Sequence, residues 1–391
     1  MTTSQITWIT ASSVLTSGSF ILFFGKVADM FGRRIIFISN IFLFAVFALA
    51  TGFSRDGITL DVLNGVMGFV CAATKPSRRK NYAFTCFSAG NPLGFMFSYI
   101  FSGIATQLFG WWAAFWLLAI IYLVVTIVAC FYGPRGRHRE TISDALTVGG
   151  IGSFSTGLRG WKTPHVLVFI VLGVLIMATF VWWECRFPYP PMPMKIWRDR
   201  DFSLLMMILL LGFVAFPPMT FFVALYLQKL SGYSALSTPM HMLPMAVSGI
   251  IMNIIAGLVG APAYTIAFLL VAVQRSGDSY WAFTFPALAI VVIGADSELN
   301  VAKMYVLSSL PKSQQPIAGS IFQAITKIFV TVGHGVFTAV FRRVEENPAT
   351  LGYYAHDSFE PYAATFWCTM VCTFISLLLV PFLTIKMQGH G

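Results

Sequence analysis

The clearest candidate for chemistry in this sequence is a carboxylate inside a long apolar stretch. Asp296 lies in the mostly apolar run 280–301, sixteen residues after Tyr280 and Trp281, which are typical of a membrane-interface anchor. A helix rises 1.5 Å per residue, so Asp296 is expected roughly 24 Å inward, in the cytoplasmic third of a core about 30 Å thick. Acids in such positions are costly and usually functional, so we predict that Asp296 carries a proton. The alternative is that Asp296 and Glu298 lie at a wet helix end and pair with Lys303.

A short charged segment, 25–34, separates the apolar runs 8–24 and 35–53. Its glycines permit a tight turn, and its cations favour the cytoplasmic side of a membrane. Its carboxylate can cap a helix or pair with an arginine. The candidate gating residues of this segment are Gly25, Lys26, Asp29, Gly32, Arg33 and Arg34.

The run 83–107 carries small residues at a spacing of four: Gly90, Gly94, Ser98 and Ser102. This spacing predicts a flat face on which another helix packs closely. Pro92 removes one backbone hydrogen bond and should bend the helix. The face and the bend could help two helical bundles to rock, or they could reflect ordinary tight packing.

Other candidate residues permit two interpretations. Pro217 and Pro218 interrupt the hydrogen bonding of the run 202–227 and predict either a broken helix that lines a binding site or a simple kink. His241 and His334 lie in or at the mouth of spans, where an imidazole could titrate near neutral pH, although hydrogen-bonded packing is the favoured role of each. The aromatic residues that could line an apolar cavity are Phe216, Phe221, Phe222 and Tyr226.

The composition defines the class of protein. Apolar residues make up 57% of the 391 residues and charged residues only 10%, whereas soluble domains are about a quarter charged. Apolar runs of about 20 residues without strand-like alternation predict transmembrane helices. The predicted spans are 8–24, 35–53, 60–74, 83–107, 112–132, 144–158, 165–183, 202–227, 239–260, 261–275, 280–301, 315–341 and 363–386.

The positions of the cations predict the topology. One set of alternate loops holds Lys26, Arg33, Arg34, Lys75, Arg78, Arg79, Lys80, Arg135, Arg137, Arg139, Arg186, Lys195, Arg198 and Arg200. The intervening loops of the same region hold only Arg55, Arg159 and Lys162. This asymmetry places the first set in the cytoplasm. Since the net charge of +10 lies mostly in short loops between spans, it does not indicate a nucleic-acid partner.

Several segments carry a resemblance to a known family. The pattern G-K-x-A-D-x-x-G-R-R at 25–34 resembles the loop between the second and third helices of major facilitator superfamily transporters. Segments 76–81, 87–94, 279–283, 308–311 and 314–315 resemble the fungal drug:proton antiporter family with fourteen spans, most of all its aminotriazole-resistance type. The segment around Gly90, Pro92, Gly94 and Ser98 partly resembles the antiporter signature of the fifth helix.

The resemblance implies an all-α integral membrane fold with about 11–13 transmembrane helices. It implies an N-terminal bundle at 1–140, a central helix pair with a cytoplasmic loop at 141–200, and a C-terminal bundle at 201–391. Residues 8–11 resemble the start of the family's second helix, so its first helix is expected to be absent. The fourth helix is expected to be shortened.

The function implied is proton-coupled efflux of a small apolar compound, such as a drug, toxin or secondary metabolite, across the plasma membrane. The expected partners are this substrate, protons and the lipid bilayer, and the sequence carries no signal for a particular oligomeric state. The alternatives are a transporter of a small polar solute such as ammonium or borate, or a truncated family member that no longer transports. No enzyme, cofactor or metal motif is found, and the six cysteines show no metal-binding pattern.

Overall fold

The computed structural model describes residues 7, 11–14, 16–17, 33–54, 56–71, 82–132, 200–254, 260–308, 315–349 and 352–383, and these contain helices and no strands. Predicted spans 144–158 and 165–183 lie outside the described residues, as does most of 8–24. The helices of the first half are α1 (Arg33–Gly52), α2 (Gly57–Cys71), α3 (Tyr82–Phe109) and α4 (Trp111–Tyr132). Those of the second half are α5 (Arg200–Lys229), α6 (Ser237–Ile254), α7 (Gly260–Val273), α8 (Thr284–Ser308), α9 (Gln315–Glu346), α10 (Glu360–Leu379) and a 3-10 turn, Val380–Phe382.

The helices form where the sequence has long apolar runs, and their outer faces remain apolar. Among the described residues, six helices are long and apolar enough to cross a membrane. Helix α4 shows why water cannot be the surrounding medium, since Val124, Val128 and Phe131 are 53%, 51% and 80% exposed. Large apolar side chains exposed along a whole helix are expected to face lipid.

The observed helices overlap the predicted spans that fall on described residues, and their ends differ by several residues. Helices α2 and α7 contain 15 and 14 residues, as short as predicted. Helices α8 and α9 continue past the predicted ends of 301 and 341 to Ser308 and Glu346. In both, the helix continues into a more polar segment that hydropathy alone does not mark.

Helices α1 to α4 pack on one another, and α5 to α10 form a second group with most of the buried residues. Helices α3 and α4 are joined at Gly110, whose φ of 104° is readily adopted only by glycine. The two groups meet where α3 packs on α6. The domain boundaries at 140 and 200 stay a prediction, since 133–199 are outside the described residues.

The second group has an aromatic core pinned by buried polar contacts. Phe222 stacks on Phe341 with ring centroids 5.1 Å apart. Gln274 is fully buried and donates to the Tyr226 hydroxyl at 3.0 Å, while it accepts from the Thr284 hydroxyl at 2.9 Å. These two hydrogen bonds fix the end of α7 against α5 and the start of α8.

Candidate functional site

The predicted gating segment falls mostly outside the described residues. Gly25, Lys26, Asp29 and Gly32 are not described, and Arg33 and Arg34 are the first two residues of α1. Their position at a helix start agrees with a charged turn that leads into a membrane helix. The gating role of 25–34 stays a prediction.

In α3, one close approach to a neighbouring segment lies at a residue outside the predicted set, and the packing role of that set stays a prediction. Gly90 and Pro92 lie within the helix. Gly94 and Ser98 are exposed, and no atom of the described residues lies within 4 Å of a Cβ built at Gly94. At Gly103, by contrast, such a Cβ would lie 2.9 Å from the Ala235 carbonyl oxygen just before α6. Of the two described glycines, Gly103, which the small-residue spacing did not include, is therefore the one where α3 closely approaches a neighbouring segment.

Helix α8 holds the acidic residues of the candidate site. Asp296 is partly buried and lies twelve residues after Thr284 and twelve before Ser308. It is therefore at the middle of the helix, because α8 begins later and ends later than the apolar run. The midpoint of a helix is not the midpoint of a membrane, so the expected position of Asp296 in the cytoplasmic third stays a prediction.

Glu298 is not at a wet helix end. Its side chain is only 8% exposed, and neither carboxylate oxygen accepts a hydrogen bond from a described residue. The carboxyl group points at α5, where a Cβ built on Gly212 would lie 1.9 Å from its Oε2. The expected pairing of Glu298 with Lys303 is therefore absent from the described hydrogen bonds.

A tyrosine of α7 lies beside these acids. Tyr264 is 1% exposed, and its hydroxyl has no hydrogen-bond partner among the described residues. The phenol is within electrostatic range of both Glu298 and Asp296. Residues two apart on a helix point to different faces, so the two acids contact different surroundings while they share this neighbour. The two acids and Tyr264 can bind a proton or a cationic group inside the helical bundle.

The two prolines of α5 leave the helix continuous and free two backbone carbonyls. Pro217 and Pro218 have no N–H to donate to the carbonyls of Phe213 and Val214, four residues earlier. The Val214 carbonyl oxygen instead faces α9, where a Cβ built on Gly333 would lie 2.1 Å away. Gly333 therefore provides the space for the carbonyl group that Pro218 leaves without its helical donor.

The four candidate cavity aromatics separate into two pairs. Phe222 and Tyr226 are buried in the core, so in this structure they pack against neighbouring rings instead of lining a cavity. Phe216 and Phe221 are only partly buried and lie at the margin of the same core. His334 behaves as predicted, because it is 2% exposed and its Nδ1 is 2.9 Å from the Val330 carbonyl oxygen.

A cation links the first residues of the chain to α9. The Lys327 ammonium donates to the Ser17 hydroxyl at 2.6 Å. Sequence analysis missed Lys327, although a single lysine within the run 315–341 is a visible signal. It also missed the burial of Glu298, for which the only signal is Gly212, a glycine among the large apolar residues of α5.

At the end of the second helix group that lies away from the start of α5, the loop before α10 covers the loop after α7. Arg275 donates to the Tyr353 carbonyl oxygen at 2.8 Å, and its guanidinium carbon lies 3.5 Å from the centroid of the Tyr353 ring. Tyr354 donates a hydrogen bond to the Ala272 carbonyl oxygen, and burial raises the pKa of its phenol. These contacts fix the loop before α10 on the loop after α7.

Comparison with known proteins identifies the family. The model of the Major Facilitator Superfamily matches residues 1–334, which is most of the chain. The chain belongs to this superfamily. It is therefore a multi-pass membrane transporter of small molecules and not an enzyme.

Relatives with described roles are distant but cover most of the chain. The low affinity ammonium transporter of Saccharomyces cerevisiae is 25% identical over 88% of this chain and 75% of its own length. The efflux pump terJ of Aspergillus terreus is 24% identical over 89% of this chain and 75% of its own. The aminotriazole resistance protein of Saccharomyces cerevisiae is 22% identical over 87% and 71%.

A solved structure supports the fold alone. A mutant of the nucleoside transporter NupG superposes with a TM-score of 0.59 at 11% identity, over 98% of this chain and 91% of its own. The all-helical major facilitator fold predicted from the sequence is confirmed.

Proposed function

We propose that this major facilitator exports a small, largely apolar compound across the plasma membrane in exchange for protons, as a member of the fourteen-span drug:proton antiporter type. The observation that carries the coupling is Asp296, a partly buried acid at the midpoint of α8. Acids within membrane-spanning helices are costly and are retained where a proton or cation must be bound. Export is supported by relatives that are named efflux pumps.

The contacts between the two helix groups support alternating access as the mechanism. Gly103 lets α3 pack on the segment that leads into α6, and the positions of the basic loops predict that this end faces outside. The described conformation is thus proposed to be closed to the outside. A proton taken up from outside by Asp296 would bias the return of the emptied transporter.

Efflux from yeast that lacks its own drug exporters tests the proposal. Cells that express this chain should release the lipophilic dye rhodamine 6G faster than cells with an empty vector, and a protonophore should abolish the difference. Asp296→Asn should reduce release at least tenfold, with surface expression unchanged. The matched control is Asp56→Asn, because Asp56 is an exposed acid just before α2.

Two outcomes would contradict the proposal. Release that continues at full rate with the protonophore present would remove proton coupling. Full release by Asp296→Asn would remove Asp296 as the carrier.

A second candidate function is transport of ammonium, because a relative over 88% of the chain is named a low affinity ammonium transporter. Growth on limiting ammonium of yeast that lacks its ammonium transporters separates the two candidates. Rescue of growth without dye efflux would favour the polar solute.

A further inference from the structure

The second acid of α8 is built into the interface with α5. Glu298 is 8% exposed, and a Cβ at Gly212 would lie 1.9 Å from its Oε2 and 2.9 Å from its Oε1. The carboxyl group therefore occupies the volume that any side chain at position 212 would need. Helices α5 and α8 can approach as they do only because residue 212 is a glycine.

A carboxyl group in this position requires a positive partner or a proton. Neither of its oxygens has a hydrogen-bond partner among the described residues, and the hydroxyl of the neighbouring Tyr264 has none either. Burying an ionised carboxylate in apolar surroundings without a partner is strongly unfavourable. The site must therefore be completed by a species that is small enough for the contact with Gly212.

We propose that Glu298 is a proton-binding site of its own, separate from Asp296, and that its proton permits the close packing of α5 on α8 beside Tyr264. The described residues contain no group of three or more His, Cys, Asp or Glu side chains that could hold a metal ion. The contact at Gly212 leaves little volume for the oxygen ligands of a larger cation on that side. A proton meets both conditions.

Among the titratable side chains on the helices that surround Glu298, Tyr264 is the neighbour that lies beside its carboxyl group. Helix α7 carries no other titratable side chain, and α6 carries only His241, which lies near its start. Helix α5 carries such groups only near its two ends, at Arg200, Asp201, Tyr226 and Lys229. On α9, Lys327 donates to Ser17, and His334 lies against the Val330 carbonyl and the Phe221 ring. The other groups of α9 lie in its last five residues: Arg342, Arg343, Glu345 and Glu346. On α8 itself, the other groups are Asp296, Lys303 and Tyr305.

Proton binding at Glu298 gives α5 two alternative packings. With the proton bound, the neutral carboxyl group can lie against the backbone at Gly212. Without it, the charge must move towards water or a cation, and α5 must separate from α8. The same helix contacts α9 through Val214 and Gly333, so a shift of α5 would be transmitted to that interface as well.

Infrared spectroscopy detects such a proton without any transport. The full chain would be purified in a detergent that contains no carbonyl group, because lipid esters absorb in the same region, and spectra would be recorded at pH 7. Wild type and Asp296→Asn should both show the carbonyl stretching band that a protonated carboxyl group gives in an apolar environment. Glu298→Gln should lose this band and still fold, because the amide has the size of the neutral acid. An identical band in wild type and Glu298→Gln would overturn the proposal.

A second variant tests the contact with α5. Gly212→Ala would place a methyl group 1.9 Å from Oε2 and must displace the carboxyl group, so the band should shift or disappear. Gly94→Ala is the matched control, because a Cβ at Gly94 has no described atom within 4 Å. A band unchanged by Gly212→Ala would show that the carboxyl group does not lie against α5.

The role of this proton in transport rests on the proposed function, but its presence does not. A chain that shows the band and exports nothing would retain the proton site and refute the efflux function. A chain that exports rhodamine 6G while Glu298→Gln leaves the band unchanged would refute the proton site alone.

Discussion

The contact between α5 and α9 leads to a test of how the prolines of α5 are accommodated. The perturbation is Gly333→Ala. Its methyl group would lie 2.1 Å from the Val214 carbonyl oxygen, 2.9 Å from the carbonyl carbon and 3.1 Å from Cα. All three are backbone atoms, so no rotamer change can relieve the clash. To bring the shortest distance from 2.1 to 3.0 Å, the helices must separate locally by about 0.9 Å.

The expected cost follows from the balance of two effects. Overpacking of a tight interface costs about 1–3 kcal/mol. Replacing glycine in a helix interior with alanine returns about 0.5–1 kcal/mol. Since an alanine at an open position of the same helix gains the second effect alone, we expect Gly333→Ala to be about 1–3 kcal/mol less stable than such a variant.

Gly335→Ala is the matched control. It lies on the same helix two residues later, and a Cβ there has no described atom within 4 Å. It should be as stable as wild type or slightly more stable. The measurement is thermal unfolding of the detergent-purified variants, followed by tryptophan fluorescence. Equal unfolding temperatures for the two variants would refute the inference that the freed Val214 carbonyl needs a glycine opposite it.

Three further predictions concern other contacts. Gly103→Val should weaken the packing of α3 on α6. A cysteine introduced at Leu236 should then react with maleimide at least twofold faster, as measured by mass spectrometry. An unchanged labelling rate would contradict the closed contact. Gln274→Leu should lower stability by about 1–3 kcal/mol in thermal unfolding, because it removes one hydrogen bond from each of two buried hydroxyl groups. Ser17→Ala should cost about 1–3 kcal/mol because Lys327 loses an acceptor, and wild-type stability would show that this contact is dispensable.

The fold could be predicted from the sequence because membrane helices are long and uniformly apolar. Each predicted span that falls on described residues corresponds to a helix, and even the short helices α2 and α7 were expected. The ends were less predictable. Helix α8 continues to Ser308 through a segment with Lys303 and Asn300, and hydropathy does not mark a helix that continues beyond the apolar run.

The candidate site was only partly predictable. Asp296 could be found because an acid in an apolar run is visible along the chain. The burial of Glu298 depends on Gly212, which is on another helix and is recognised as its partner only when α5 and α8 are packed. Gly103 was missed for the same reason, since its partner Ala235 is in the other half of the chain.

The central claim is that solute export and proton entry are coupled in one transporter. The direct measurement uses the purified chain in lipid vesicles with a pH-sensitive dye trapped inside and no imposed pH gradient. An outward gradient of rhodamine 6G should drive proton entry and acidify the interior, and Asp296→Asn should abolish this change while Asp56→Asn retains it. Rhodamine 6G that leaves the vesicles through the protein with no change in internal pH would contradict the account.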